Sequence, residues 1–522
     1  MTAPSVPDSR AWWADWRYAI ALVLLCAVPL LYPPLPPLTD VLGHLARYHV
    51  QLALHSSPYL SRYFGFEWAL LGNLGVDLLV VPLSKIFGLQ LSVKLIALAV
   101  PPMMAAGLLL TAREAHDRIP PTAAFALPLA FGYPFQFGFL NFALSMSLAF
   151  LAFALWLRLD RAGRRNLRAA LFVPIGCLIW LAHIYGWGVL GLLVFSAELV
   201  RDRGQGGSRF HAIWRAGLAT WPLWPPLVLM LAWRSGNVAG QTGDWFNLPL
   251  KYLWLLWALR DRWQWFDVGS VLLICMLILA GLMRLRLRFD RMLGIAALIL
   301  LATYLVLPRI LLGSAYADMR LVPYALAVAV IALRPAPGDD RRLLTGLAVA
   351  AALFCVARIG GTTFSFIQYS RAYDDQLAAL DHVRPGSAVM VLVNLKCRSQ
   401  WRTSRMDHLG SQAIARRDAF ANGQWTMAGA QLLTVKYAAA GRFATDPSQL
   451  LRPPECHGRG EPVWEDTLAN FPRSAFDYFW LIDMPRSRWP HEKDLVPIWH
   501  GRDRGVLYRV VKPVGEPEKK AA

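Results

Sequence analysis

The stretch RYAIALVLLCAVPLLYPPLPPLTDVLGHLARYHVQLALH, residues 17–55, decides the fold class. Residues 17–33 are apolar and just long enough for a membrane helix, which needs roughly 17–25 such residues. Prolines at 33, 34, 36 and 37 then end that run, because proline removes a backbone donor and blocks the turn before it. After Thr39 and Asp40 a short amphipathic helix is expected. Asp40, His44, Arg47 with Tyr48, Gln51 and His55 recur at steps of three or four and share one face. Val41, Leu45 and Leu52 share the other, which can rest on lipid or on the bundle. The chain therefore leaves the lipid and at once lays down an acid, an imidazole and a guanidinium at the membrane surface.

The rest of the N-terminal two thirds repeats the first element. Further apolar stretches lie at about 91–112, 122–137, 139–157, 169–184, 186–200, 217–233, 267–283, 292–308, 321–334 and 343–360, which makes eleven spans. Residues 69–88 are nearly as apolar but carry Asp77, Pro82 and Lys85, and are expected flat on the outer surface within a first external loop of 34–90. The composition agrees. Of 522 residues 56% are hydrophobic and 17% charged, beyond the usual range of soluble proteins and far from that of disordered chains. Net charge is 53 − 34, or +19, and only nine of the 53 are Lys. That excess reads as Arg in cytoplasmic loops rather than as a nucleic-acid surface.

The positive-inside rule sets the orientation. Arg10, Trp12, Trp13, Trp16 and Arg17 form an interfacial anchor, with no small-residue cleavage site after the first span, so the N-terminus is expected inside. Arg then gathers in alternate loops, from Arg113 and Arg118 to Arg334, Arg341 and Arg342. The expected location is a plasma (inner) membrane, with the C-terminus emerging outside. Residues 361–522 are polar by comparison and hold mixed runs at 387–395, 475–485 and 506–511, with helical spacing at 371–383. They read as a small extracytoplasmic α/β domain. Cys397 and Cys456 there either pair or remain free thiols, while Cys26, Cys177, Cys275 and Cys355 sit in spans as packing residues. GEPEKKAA (515–522) reads as a frayed tail.

Candidate site residues fall in the outer loops. Asp40 is placed to act as a base and equally well to cap its helix. His44 and Arg47 suit a catalytic site or a headgroup-binding face. FGYPFQFGFLNFALS (131–145) breaks two short spans with aromatics and Gly, and offers Tyr133, Gln136 and Asn141. Its simpler reading is a tight helix–helix turn. His183, with Tyr185, sits at an outer turn. PRILLGSAYADMRLVPYAL (308–326) places Arg309, Asp318 and Arg320 at the outer end of the tenth span. An Arg there needs a partner, for which Asp318 or a phosphate qualifies. The Trp-rich segment 234–266, with Asp244 and Asp261, reads as an interfacial belt. No P-loop, zinc spacing or Ser/His/Asp signature is present, and no metal cofactor is indicated.

Together these features resemble the GT-C superfamily, multi-span glycosyltransferases that use polyprenyl-phosphate-linked sugars. The layout match covers most of residues 15–360. The resemblance implies an all-α polytopic membrane bundle of about eleven helices (1–360) with a C-terminal α/β domain (361–522). It also implies an inverting displacement with Asp40 as general base, and Arg320, followed by Pro323, on the donor phosphate with His44 or Arg47. Its implied partners are a polyprenyl-phosphate-linked sugar, a lipid, glycan or protein acceptor, and the surrounding membrane lipids. Tyr133, Gln136, Asn141, His183 and Asp318 would line the substrate cavity. Many members carry a second acid. This chain has Asn141 where that acid is sought, which gives no support to a divalent metal. A lipid or glycan transporter or a non-catalytic envelope assembly protein are the rival classes. The transporter predicts mid-span ionisable groups and internal symmetry, neither of which the sequence displays.

Overall fold

The structure, a computed structural model, describes residues 11–203, 208–234, 241–311, 313–336, 338, 340–397, 400–427, 431–458 and 460–512. Arg10 of the anchor, 235–240 of the Trp-rich segment, Pro337 and Asp339 between the last two spans, and the tail 515–522 lie outside the described residues. Six helices are long and apolar enough to cross a membrane: Leu89–His116, Leu140–Arg161, Arg165–Ala182, Ile184–Asp202, Gln264–Leu282 and Arg341–His382. Shorter apolar helices at Trp16–Leu31, Trp221–Leu231, Arg291–Val306 and Met319–Ile331 occupy four more of the expected positions. Their outward faces carry large exposed apolar groups such as Leu178, Met276 and Leu353, as lipid contact requires.

The stretch 122–137 departs from expectation. It folds as a 3-10 segment, Ala123–Phe131, and a single helical turn, Tyr133–Phe137, rather than as a lipid-facing span. Pro128, Gly132 and Pro134 interrupt any continuous α ladder. The segment runs alongside the helix Val322–Ile331 from end to end. Thr122 Oγ1 donates to Leu333 O at 3.3 Å near one end of the helix starting at Val322, and Gly132 rests against Pro323 at the other. Every residue from 121 to 136 is buried. Surrounding helices thus shield the irregular backbone, the setting in which non-α structure is tolerated at that depth.

Residues 75–87 form a separate helix, Gly75–Phe87. At 13 residues it is about 20 Å long, short of a bilayer core of about 30 Å. The first-loop helix, Val41–Ala53, is buried on nearly all sides, so of the two supports open to its apolar face it takes the bundle rather than lipid. The bundle holds one side and the C-terminal domain the other.

That domain is continuous with the membrane part. The last span is one helix, Arg341–Leu377, of 37 residues, so the expected boundary at 360/361 falls inside a helix about 55 Å long rather than in a linker. Beyond it lies a six-stranded sheet. Ala388–Asn394, buried on both faces, pairs in parallel with Phe420–Ala421, Leu450–Leu451 and Tyr478–Pro485. Antiparallel Arg504–Val510 and Leu495–His500 complete it. Cys397 and Cys456 form a disulfide with Cα atoms 5.6 Å apart. A small antiparallel ribbon joins Phe64–Phe66 of the first loop to Leu433–Val435 of the domain. Fully buried Arg405 adds a second tie, donating to Pro37 O, Gln136 Oε1 and, at 2.6 Å, Asp261 Oδ1.

Candidate active site

A cavity of about 300 Å³ opens where the first-loop helix, the 137–142 turn, the 314–320 segment and the C-terminal domain meet. Asp40, His44, Asn141, His183 and Arg320 line it, five of the nine residues singled out from the sequence.

Asp40 precedes the first-loop helix, but its side chain makes no capping bond. Its backbone is fixed instead, with Asp40 N donating to Phe137 O at 2.9 Å. Gly138, at φ +101°, lies directly beneath: a Cβ there would come within 2.7 Å of Asp40 N. Glycine is thus required both for the left-handed conformation and for the close approach. The carboxyl is pushed up to about 7, chiefly by burial, with Asp407 and Asp446 adding to the rise and His408 and Arg320 opposing it. A partly buried acid poised near neutrality is suited to take a proton at physiological pH.

Arg320 is buried and has no carboxylate partner among the described residues. Its Nη2 donates to Ser314 Oγ at 3.1 Å and Ala315 O at 3.4 Å, and its plane lies over the Phe139 ring, 4.3 Å from the centroid. Its Nε has no acceptor. Asp318, the partner suggested by spacing, is taken by Lys251 at 3.1 Å, while Arg309 pairs with Asp244. The guanidinium is therefore held flat with donor capacity to spare, as planar recognition of a phosphate requires.

His44 and His183 are both held well below the usual imidazole range, first by burial. Neighbouring cations, Arg47 for His44 and Arg320 for His183, add to it. They supply neutral donors rather than charge, which corrects the expectation of His44 as a cation. His183 Nδ1 accepts from Tyr185 N at 3.1 Å, so its Nε2 carries the proton.

Four residues expected at the site are used elsewhere. Arg47 forms a two-pronged buried pair with Asp77, its Nη2 reaching Oδ2 at 3.2 Å, and does not line the cavity. Gln136 serves Arg405, and Asp318 serves Lys251. Tyr133 lines an adjoining cavity, beneath the Arg260 guanidinium. Asn141 reaches the wall but is spent on structure. Its Oδ1 accepts from Val76 N at 2.6 Å and its Nδ2 donates to Asn73 O at 2.8 Å and Asp77 Oδ2 at 3.0 Å. A second carboxylate there would face Asp77 directly. Among the described residues, no three His, Cys, Asp or Glu converge in a way that could hold a metal ion.

The C-terminal domain supplies the rest of the wall: Asp407, His408, Trp425, Met427, Gln431, Asp446 and Leu450. Sequence reasoning missed all of these. Asp407 is pushed up by burial, and its Oδ1 has no partner. His408 Nε2 stands 3.7 Å from Asp40 Oδ1. The only local signal was an adjacent acid and imidazole at 407–408 outside any periodic element, which is weak on its own.

No family model matches the chain, and no curated protein matches it. Among solved structures it is similar to the crystal structure of ArnT from Cupriavidus metallidurans bound to undecaprenyl phosphate. That likeness has a TM-score of 0.47 and 14% identity, over 96% of this chain and 98% of that one.

Proposed function

We propose that the protein transfers a sugar from a polyprenyl-phosphate-linked donor to an acceptor hydroxyl or amine at the outer face of the membrane. One observation carries this reading. A partly buried, uncapped carboxylate, Asp40, and a buried guanidinium with no acidic partner among the described residues, Arg320, line a single cavity beside the apolar bundle. A volume of about 300 Å³ is at the low end for small-molecule sites, enough for a sugar and its phosphate but not for a prenyl chain. The chain would stay in lipid while the head enters.

In this mechanism Asp40 removes the acceptor proton as the acceptor attacks the anomeric carbon. Polyprenyl phosphate departs from the opposite side, which inverts the configuration. The leaving phosphate keeps its charge, so Arg320 stabilises it through forked N–H donation, assisted by neutral His44 and His183. The N-terminus lies on the cytoplasmic side, and the C-terminal domain closes the site on the other.

The test is thermal denaturation of the full chain in lipid nanodiscs with and without undecaprenyl phosphate. Wild type should be stabilised and Arg320→Ala should not, with the two melting alike when no lipid is added. Equal stabilisation of both would remove Arg320 from the donor site, and no stabilisation of wild type would remove the donor.

A further inference from the structure

His408 reaches Asp40 from a different part of the chain, and its surroundings fix which nitrogen does what. Its Nδ1 lies 3.0 Å from Gly423 O. A carbonyl only accepts, so Nδ1 carries a proton and Nε2, 3.7 Å from Asp40 Oδ1, is the nitrogen turned toward the carboxylate. Trp425 packs against the ring with centroids 4.5 Å apart and planes inclined by 53°, which holds it in this orientation. The approach depends on Gly43, where a Cβ would come within 2.6 Å of Trp425 and 3.2 Å of His408.

We propose that His408 is the positioning residue for Asp40. The C-terminal domain delivers the ring that stands 3.7 Å from the carboxylate and holds it in place, so the base is complete only when the domain is seated on the first-loop helix. This rests on the reading of Asp40 as base. During transfer the acceptor O–H bond breaks, its proton passes to Asp40, the new C–O bond forms, and the C–O bond to phosphate breaks with its electron pair leaving on phosphate. His408 takes no part in the proton transfer and holds the carboxylate that starts the step. Asp40 also meets Asp407 and Asp446 from the domain and Arg320 from the bundle, while His408 also meets Asp407 and His44. The acids push Asp40 toward its protonated form, and His408 is the first of the groups opposing them.

The pairing is testable without any substrate. Infrared titration of the full chain in nanodiscs should show a protonated-carboxyl band that disappears in Asp40→Asn, with a midpoint of about 7 in wild type. In His408→Asn, whose amide can still donate to Gly423 O, that midpoint should rise by about one unit or more. His408→Gln, which restores a neutral donor toward Asp40, should also raise it, by less, and serves as the second variant should the first fail to fold. An unchanged midpoint in a folded variant overturns the proposal. Retained transfer by Asp40→Asn would instead remove the base assignment and leave the pairing standing.

Discussion

Arg47 and Arg320 are both buried guanidiniums at the end of the bundle that meets the C-terminal domain, and the fold uses them in opposite ways. Arg47 is matched within the protein, by Asp77 on both prongs, and Asp77 is matched further by Asn141. The same holds elsewhere in the interior, for Arg405 with Asp261, Arg358 with Asp267 and Lys251 with Asp318. Arg320 has only a hydroxyl, a carbonyl and an aromatic face, and across the cavity Asp40 has only an imidazole at 3.7 Å. Burying a charge without an equal partner is costly. The fold thus matches buried charge at these pairs and leaves Arg320 without a carboxylate partner among the described residues, which is the contrast that the proposed charged ligand would resolve.

The sharpest way to break this comparison is at Asp40. Asp40→Asn keeps the shape but cannot take a proton, so sugar transfer should fall by about 10²- to 10⁴-fold. Insertion into membranes should be unchanged. Comparable turnover in the two proteins, measured with a radiolabelled lipid-linked sugar, would return Asp40 to a purely local role.

The next effect is on stability and should separate the two arginines. Arg47→Ala strands Asp77 in the interior and should cost about 3–5 kcal/mol, whereas Arg47→Met with Asp77→Leu should recover most of it. Arg320→Ala strands no carboxylate among the described residues and should melt near wild type in the absence of lipid. If the melting temperatures of the two alanine variants fall together, the distinction between matched and unmatched charge is wrong.

The sequence made the bundle legible because lipid imposes a simple rule, twenty or so apolar residues per crossing, and ten of the eleven expected stretches coincide with apolar helices. The failure at 122–137 is instructive, since hydropathy reports burial and cannot distinguish lipid from a protein interior. Half the site was legible too: Asp40, His44, Asn141, His183 and Arg320 sit in polar breaks next to spans. Arg47 and Asp318 were misplaced because periodicity shows which face a residue is on and not which partner claims it. Asp407, His408 and Trp425 were invisible for another reason. They join the site through the packing of a distant sheet domain on the first-loop helix, by bonds such as Gln412 Nε2 to Leu42 O and Gln424 Nε2 to Gly43 O.

A third test uses pH, and its sign follows from the direction of the shift. Asp40 holds its proton more tightly when folded, with a midpoint of about 7 against an ordinary 3.8. Its contribution to stability is therefore full below about 3.8 and is lost progressively as pH rises to about 7. Asn has no proton to lose. The unfolding free energy of Asp40→Asn relative to wild type should climb over that interval and level off above it, by up to about 4 kcal/mol at about 1.36 kcal/mol per unit. Activity should run the other way in wild type, failing as pH drops below the same midpoint. A stability difference that is flat in pH would mean the carboxyl is solvated.

The smallest effect probes how the unmatched carboxylate is held in place. Gly138→Ala adds one methyl group to a residue at φ +101° whose Cβ would meet Asp40 N at 2.7 Å. The left-handed conformation alone costs an alanine about 1–2 kcal/mol. Backbone cannot yield as a flexible side chain would, so the bond from Asp40 N to Phe137 O should lengthen and the carboxyl should move relative to Arg320. On the proposed mechanism, undecaprenyl phosphate binds through Arg320 and its binding should be nearly retained, while transfer through Asp40 should fall about 10-fold or more, as small misplacements of a reacting group do. Equal losses in both would show that the turn supports the whole cavity rather than the base.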